Sequence, residues 1–435
     1  MATGIVPDPP DLVASCPVWT RRRFVQAALT AALGAFIPAV GGCSARPSVG
    51  AISEALQALR SQRIAPPPLE GYREFRGVVH AHTALSHDST GTVEEILEAA
   101  SFAKLDFLIT TDHYTPRIFT EGLDGRRGSL LVVRGVEIAL GCTRQGALTR
   151  RCASVLAIGL GAPLVPAPNG QWDVDALFKV IRSQGALAII AHPRGLMNRS
   201  YFRYADGLEI CDLADTVRDR LVDVPRFLLA FLTDYGGYYQ DEILLPLIVE
   251  RSNWNLVEWD RFTKVRRYIG LAGNDAHQNL NVFGRQADPY LLTFRAVNTH
   301  IVAPLGVAES FRPVAPPLTT DDLMSALRAG RCFVSFNLMA DAAGFRFAAR
   351  VREGGPVVAL MGDEVPLQDG LVLAAQCPVP GSVELLRDGV PIRRQEGREL
   401  LHPVDRPGVY RIEVSLRVVD RWLPWIFSNP IYVRA

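Results

Sequence analysis

From residue 72 onward the chain alternates two kinds of stretch. Short, almost wholly apolar runs read as strands over 77–82, 107–111, 130–138, 155–160, 187–191, 207–210 and 268–272. Between several of them the apolar residues recur every three to four positions, the spacing of a helix that buries one side. The clearest helix begins at Thr92-Val-Glu-Glu95 and runs through Ala103. There Thr92 can cap the first turn and Glu95 can return the hydrogen bond. Helices are also expected over 172–184 and from Thr319 to a stop at Gly330, with one more short strand over 331–335. A longer, partly helical insert is expected over 215–267. Strands apolar on both faces belong to parallel sheets covered by helices, so the pattern predicts an α/β fold, either a barrel or a doubly wound sheet.

The pattern changes near Ala343. Strand-like runs over 345–351, 371–376, 382–386, 408–418 and 430–433 alternate with turns such as Arg387-Asp-Gly and Asp405-Arg-Pro-Gly. That predicts a small all-β sandwich over 341–435 behind an α/β unit over 72–340. Upstream, 44–71 reads as a tether with a short helix-like stretch, stiffened by Pro66-Pro-Pro68. Residues 1–43 read as an address. Thr20-Arg-Arg-Arg-Phe24-Val-Gln26 resembles a twin-arginine export signal, and Val40-Gly-Gly-Cys43 resembles a lipobox. The apolar run between them is short against the roughly 20 residues of a membrane span. The expectation is an exported lipoprotein, periplasmic or at the cell surface, anchored through lipid on Cys43. An uncleaved anchor helix is the alternative.

Composition narrows the partners. With 435 residues, 48% of them hydrophobic, there is ample core material. The formal net charge is +1, and the first 42 residues carry Arg21, Arg22 and Arg23 against Asp8 and Asp11, so the rest is formally neutral. That is not the electrostatics of a nucleic-acid binder. The seven cysteines are scattered without a C-x-x-C pair. They read as small buried thiols, and a Cys142–Cys152 bridge is conceivable in an oxidising compartment.

The candidate chemistry lies where the apolar runs end. His80, His82, His113, Glu137, His192, Asp275 and His277 each follow such a run directly, and His87 and Asp88 sit in a polar loop. Six of the eight histidines fall in this set; His300 and His402 read as surface or structural. Alternate positions on a strand share a face, so His80 and His82 can converge. The carboxyl ends of the strands are where such folds build active sites. Mixed imidazoles and carboxylates suit zinc, manganese or iron. Arg194 could face a phosphate oxygen or simply be a surface arginine. Tyr235-Gly-Gly-Tyr238-Tyr239 could form an aromatic lid or a packed loop. Gly159-Leu-Gly161 lacks the third glycine of a dinucleotide fingerprint, and no G-x-S-x-G is present.

The order His80-Ala-His82, Ser86-His-Asp88, Thr111-Asp-His113, Gly135-Val-Glu137, His192-Pro193, Asp275-Ala-His277 resembles the polymerase-and-histidinol-phosphatase (PHP) family of metal-dependent phosphoesterases, over about residues 72–340. Within it the chain is similar to the branch containing carbaryl hydrolase, in which a small β domain follows. Trp425 and Ser428-Asn-Pro-Ile-Tyr-Val433 resemble that branch's closing segment. The resemblance implies a distorted seven-stranded (β/α) barrel, with one to three divalent ions per chain. His80, His82, Glu137 and Asp275 would hold one ion, Glu137 and His192 a second, and Asp88, His113 and His277 a third. Ser154 stands where the family often places a further histidine. The second ion would then be completed by water, or by Cys152, or be absent.

Activity expected from that set is hydrolysis by metal-activated water on a small-molecule ester, with His87 as a general acid for the leaving group. A phosphoester is the expected substrate. A carbamate or carboxylic ester would use the same ligands. A catalytically idle barrel carrying a surface binding module is the reading from another class.

Overall fold

The computed structural model describes residues 47–145, 149–166, 172–219, 249–282, 284–304 and 317–435. The export and lipid signals and the proposed aromatic lid lie outside the described residues. Among the described residues no helix is long and apolar enough to cross a membrane.

The chain is mixed α/β, with a large sheet and few helices. Helix α1 (Val49–Ser61) precedes β1 (Tyr72–Ala81), α2 (Val93–Phe102) and β2 (Phe107–Thr110). Then come α3 (Ile118–Glu121), β3 (Gly125–Arg127), β4 (Leu130–Gln145), β5 (Thr149–Ile158), α4 (Val174–Ser183), β6 (Leu187–Ala191) and β7 (Gly207–Asp212). Helices α5 (Leu213–Asp219) and α6 (Asn253–Thr263) lead to β8 (Ile269–Gly273). A short hairpin, β9 (Asn281–Val282) and β10 (Arg285–Gln286), precedes α7 (Tyr290–Ala296), β11 (Val297–Pro304), α8 (Thr320–Ala329) and β12 (Cys332–Phe336). The rest is β: β13 (Arg346–Arg350), β14 (Val357–Leu360), β15 (Glu364–Pro366), β16 (Val372–Arg387), β17 (Val390–Pro403), β18 (Gly408–Val418), β19 (Arg421–Ser428) and β20 (Ile431–Arg434).

The strands that carry the site pair in the order β1, β2, β4, β5, β6, β7, β8. A single parallel bridge between Ala81 and Ala276 brings the two ends of that series together. Both faces are buried because neighbouring side chains go to different cores. Val79, Phe107, Ile109, Leu131 and Val133 enter one cluster, while Val78, Leu108 and Val132 enter another with Ile96 of α2 and Phe294 of α7. Each such Val or Leu contributes about 1.5–3 kcal/mol of burial. Thr92 and Glu95 form the expected capping box on α2, and Thr319 does the same with Asp322 on α8. Gly330 ends α8 at φ 75°.

The sheet is not all parallel as the apolar runs predict. β5 runs antiparallel to both β4 and β6, so β4 and β5 form a long hairpin where a βα crossover was expected. The segment read as a tether is docked. Ile52, Leu56 and Leu59 of α1 are buried, and Arg60 and Arg63 donate to the main-chain carbonyls of Leu338, Met339, Asp341 and Ala343. Downstream, the region from β13 is all β, with a two-residue turn at Asp388-Gly389 where both φ values are positive. Its β19 pairs with β12, and β12 pairs with β11 on the free edge of β1, so this sheet is continuous with that of the site.

Candidate metal centre

His80 does not reach the site by simple strand alternation. The β1–β2 register shifts between Val79 and Ala81, and His80 holds a left-handed backbone at φ 70°. His82 lies just beyond the strand, its N–H donating to the carbonyl of Ala276 at 2.9 Å. The two side chains still converge, because the bulge turns His80 inward next to the closing bridge. His192 and Asp275, at the ends of β6 and β8, are also left-handed, at φ 49° and 46°. Non-glycine residues in that region are uncommon and cluster at functional sites.

An inner cluster forms around two carboxylates. Glu137 Oε2 lies 3.4 Å from His80 Nε2 and 3.2 Å from His82 Nε2. Asp275 Oδ1 lies 3.2 and 3.4 Å from the same two atoms. His192 Nε2 faces the other oxygens, at 3.8 Å from Glu137 Oε1 and 3.6 Å from Asp275 Oδ2. An outer cluster adjoins it. Asp88 Oδ2 is 3.0 Å from His113 Nε2 and 3.2 Å from His277 Nε2, and His113 Nδ1 is 3.5 Å from Glu137 Oε2. The structure thus brings together His80, His82, Asp88, His113, Glu137, His192, Asp275 and His277.

The inner imidazoles are held from behind. His80 Nδ1 lies 2.7 Å from Glu209 Oε1, His82 Nδ1 3.0 Å from Ser86 Oγ, and His192 Nδ1 2.7 Å from Asp212 Oδ2, the last pair off the hydrogen-bond line. His277 Nδ1 faces the carbonyl of Asp275 at 2.9 Å. Each Nε2 is thereby left pointing at the carboxylates, the arrangement of metal-binding histidines. His192, Glu209 and Asp212 also lie close enough to be taken as a third metal group. Because His192 turns its Nε2 to Glu137 and Asp275, we assign Glu209 to supporting His80 and the main chain of His192, and Asp212 to backing the ring of His192.

The residues fit a cation. Their ligand atoms gather in two groups, His80, His82, Glu137 and Asp275, and His82, Asp88, His113 and His277, each within 4.8 Å. His82 Nε2 and Asp88 Oδ1 are buried without a hydrogen-bond partner, and such atoms cost about 1–3 kcal/mol each if left so. Burial opposes charge on Glu137, yet His113 and His80 hold its carboxyl well below the usual range. Burial likewise opposes charge on Asp275, and His277, His80 and His192 outweigh it. His277 is desolvated too, but Asp275 and Asp88 push it up to about 9.

The remaining sequence candidates are placed as follows. His87 is exposed at the rim, its ring 4.8 Å from that of His113. Arg194 is half-buried in the turn that follows His192. Ser154 is buried on β5, in register with Ala191, the residue before His192. Cys152 is disulfide-bonded, which corrects its reading as a free thiol and removes its sulfur as a ligand; Cys142 stands opposite it in register. Cys211, Cys332 and Cys377 are free and buried, as expected. His300 is wholly buried, 2.8 Å from Glu74 Oε1. Sequence reasoning missed Glu209, Asp212, Ser86 as a support and Asp112. Asp112 accepts from Thr83 N at 2.6 Å, Thr83 Oγ1 at 3.0 Å and Ser86 Oγ at 2.8 Å. Asp212 ends an apolar strand just as the named ligands do, and that signal could have found it.

No protein-family model matches the chain, and no curated protein matches it. Solved structures show a partial likeness. One is a protein from Bifidobacterium adolescentis assigned as a metal-dependent phosphoesterase, 12% identical, with 52% of this chain and 93% of that one covered at a TM-score of 0.29. Another is an amidohydrolase from Chromobacterium violaceum, solved with sulfate and no metal, 15% identical, with 46% and 87% covered at a TM-score of 0.27. At those scores the functional reading rests on the side chains alone.

Proposed function

We propose that the chain is a metal-dependent hydrolase, and that its substrate is a phosphoester. The observation that carries the reading is the inner cluster. Three imidazoles turn Nε2 toward the shared carboxylates Glu137 and Asp275, while Glu209 and Ser86 hold Nδ1 of His80 and His82 and Asp212 lies 2.7 Å from Nδ1 of His192. We read the strand series β1 to β8 as a distorted (β/α)7 barrel and the region after β12 as a β sandwich. The bridge between Ala81 and Ala276 supports the first, and the pairing of β16 with β17 and β18 supports the second.

Divalent ions bound there would supply a water acidic enough to attack near neutral pH and would offset charge developing on the substrate. The chain's own groups do the rest. Glu137, with one oxygen toward His80 and His82 and the other toward His192, can tie two sites together. His87 stands at the open rim, where its imidazole can give a proton to a leaving oxygen. Arg194, in the turn that follows His192, is the residue we propose to meet a phosphate oxygen. Export on the twin-arginine pathway with lipid on Cys43 belongs to the same proposal, supported by the order of motifs over 20–43.

The test is a hydrolysis panel run on metal-stripped and reconstituted protein. It holds a phosphomonoester, a phosphodiester, a carboxylic ester and an aryl carbamate. Metal-dependent turnover confined to the phosphoesters supports the proposal. Turnover of the carbamate alone replaces the substrate class, and a protein that binds no divalent ion sinks the reading.

A further inference from the structure

Glu209 lies in the middle of β7, wholly buried. Its two oxygens go to different halves of the centre. Oε1 is 2.7 Å from His80 Nδ1, and Oε2 accepts the backbone N–H of His192 at 3.1 Å. Both of those residues hold the left-handed backbone. Space for the carboxylate is left by Gly273 on β8, where an added Cβ would lie 2.4 Å from Cδ and Oε1 of Glu209. Asn255 Nδ2 on α6 holds the backbone carbonyl of Glu209 at 3.0 Å. The strand, its side chain and the facing glycine are all fitted to that one position.

We infer that Glu209 is a positioning residue that sets ligands of two ions at once. It aims His80 Nε2 by holding Nδ1–H, and it fixes the backbone turn that carries His192 to Glu137 and Asp275. This rests on the metal-centre reading. A carboxylate behind a metal-binding imidazole fixes its tautomer and direction, and its loss lowers metal affinity about 10–100-fold. Asp212 makes a comparison available, because the candidate ligand its carboxylate approaches closely is the ring of His192, 2.7 Å from Nδ1, while its other oxygen accepts the backbone N–H of Asp215. Loss of Glu209 should therefore weaken both inner ions, and loss of Asp212 only one.

The experiment titrates Co²⁺ into the metal-stripped full-length chain and follows bound metal and the visible absorption of the ion. The thermal midpoint without metal is read alongside. A wild type that binds no Co²⁺ fails the metal-centre reading itself. With wild type binding two inner ions, Glu209→Gln is expected to weaken both at least about 10-fold, to shift the absorption band, and to keep the metal-free midpoint. Gly273→Ala, which crowds Glu209 without removing it, is expected to give the same pattern more weakly. Asp212→Asn is expected to weaken one ion. The inference is overturned by Glu209→Gln binding within about two-fold of wild type, by loss of one ion only, or by a wild type holding a single inner ion. Should Glu209→Gln not fold, the same outcomes are read on Gly273→Ala.

Discussion

Ser86 Oγ lies 3.0 Å from Nδ1 of His82 and gives its proton to Asp112 Oδ1 at 2.8 Å. A carboxylate only accepts, so the hydroxyl's one proton is spent there and its lone pair takes Nδ1–H of His82. The ring is left with Nε2 bare toward Glu137. Ser86 also accepts the backbone N–H of His113 at 2.9 Å. One hydroxyl thus orders a ligand of the inner cluster and the main chain of a ligand of the outer one. Ser86→Ala is expected to lower metal affinity about 10-fold while leaving the fold intact. Competition with a chelating dye measures it, and unchanged affinity would remove the role given to Ser86.

Asp112 has a different task, because it accepts three hydrogen bonds from the 83–86 turn. Asp112→Ala strands those donors in a buried place. We expect about 2–4 kcal/mol of lost stability, from more than one unmet buried group at about 1–3 kcal/mol each. Urea unfolding of the metal-free protein gives the number, and a loss under about 0.5 kcal/mol would show that the turn is satisfied another way.

His80 and His87 should separate ligand from proton donor. His80→Ala is expected to abolish turnover together with bound metal. His87→Ala should keep its metal and lose about 10²–10⁴-fold in rate. Metal analysis beside steady-state kinetics checks both. Full activity in His87→Ala would remove the general acid and leave the centre standing.

Removing the ions should also cost stability, since a ligand that binds only the folded state adds about 2.7 kcal/mol at 100 times its Kd. Chelation is expected to lower the thermal midpoint and end hydrolysis, with both restored by a divalent ion. A midpoint unmoved by chelation and re-addition would argue against tight binding.

Away from the centre, Arg411 of β18 is buried with Asp260 of α6 at 2.6 Å and Glu413 at 2.7 Å, and Arg251 meets Glu413 at 2.7 Å. Burial raises the Glu413 carboxyl, but Arg251 and Arg411 outweigh it and hold it below its ordinary value of 4.5. A depressed carboxyl adds stability above its unfolded pKa, and that part is lost as pH falls through the folded one. Glu413→Gln should therefore be less stable than wild type by about 1–3 kcal/mol near neutrality. The gap should close as pH drops below about 4.5. Midpoints of both proteins across pH 3–7 decide it, and a gap independent of pH would rule out the ion pair as its source.

Much of the site half was legible because strand ends and caps leave local marks. The run over 187–191 is β6 to the residue, and Thr92 with Glu95 caps α2. What the pattern could not carry is pairing. β5 is apolar enough to pass for a parallel strand, and only its neighbours show that it is not. β11 escaped notice because Asn298, Thr299 and His300 interrupt its apolar run, although all three are buried. β17 escaped for the opposite reason, since most of its residues are exposed and its middle is the polar run Arg393-Arg-Gln-Glu396. Within the site, ligands that end strands stand out, whereas Glu209 in mid-strand looks like a polar interruption until its partners His80 and His192 are in place.

The edge of β1 is covered by β11, with Gly77 opposite Thr299 and Tyr72 opposite Pro304. The strand that presents His80 therefore has its final neighbours only after some 220 further residues have been made. Contacts that distant in sequence form slowly. Asp275 and His277 come nearly as late in synthesis as β11 does. A nascent chain that stops short of them offers a cation the histidines of the first strand without the carboxylate and the bridge that complete their surroundings. If the centre holds metal as proposed, a translation arrest before residue 275 should yield a product that retains no ion through gel filtration, whereas the full-length chain keeps it.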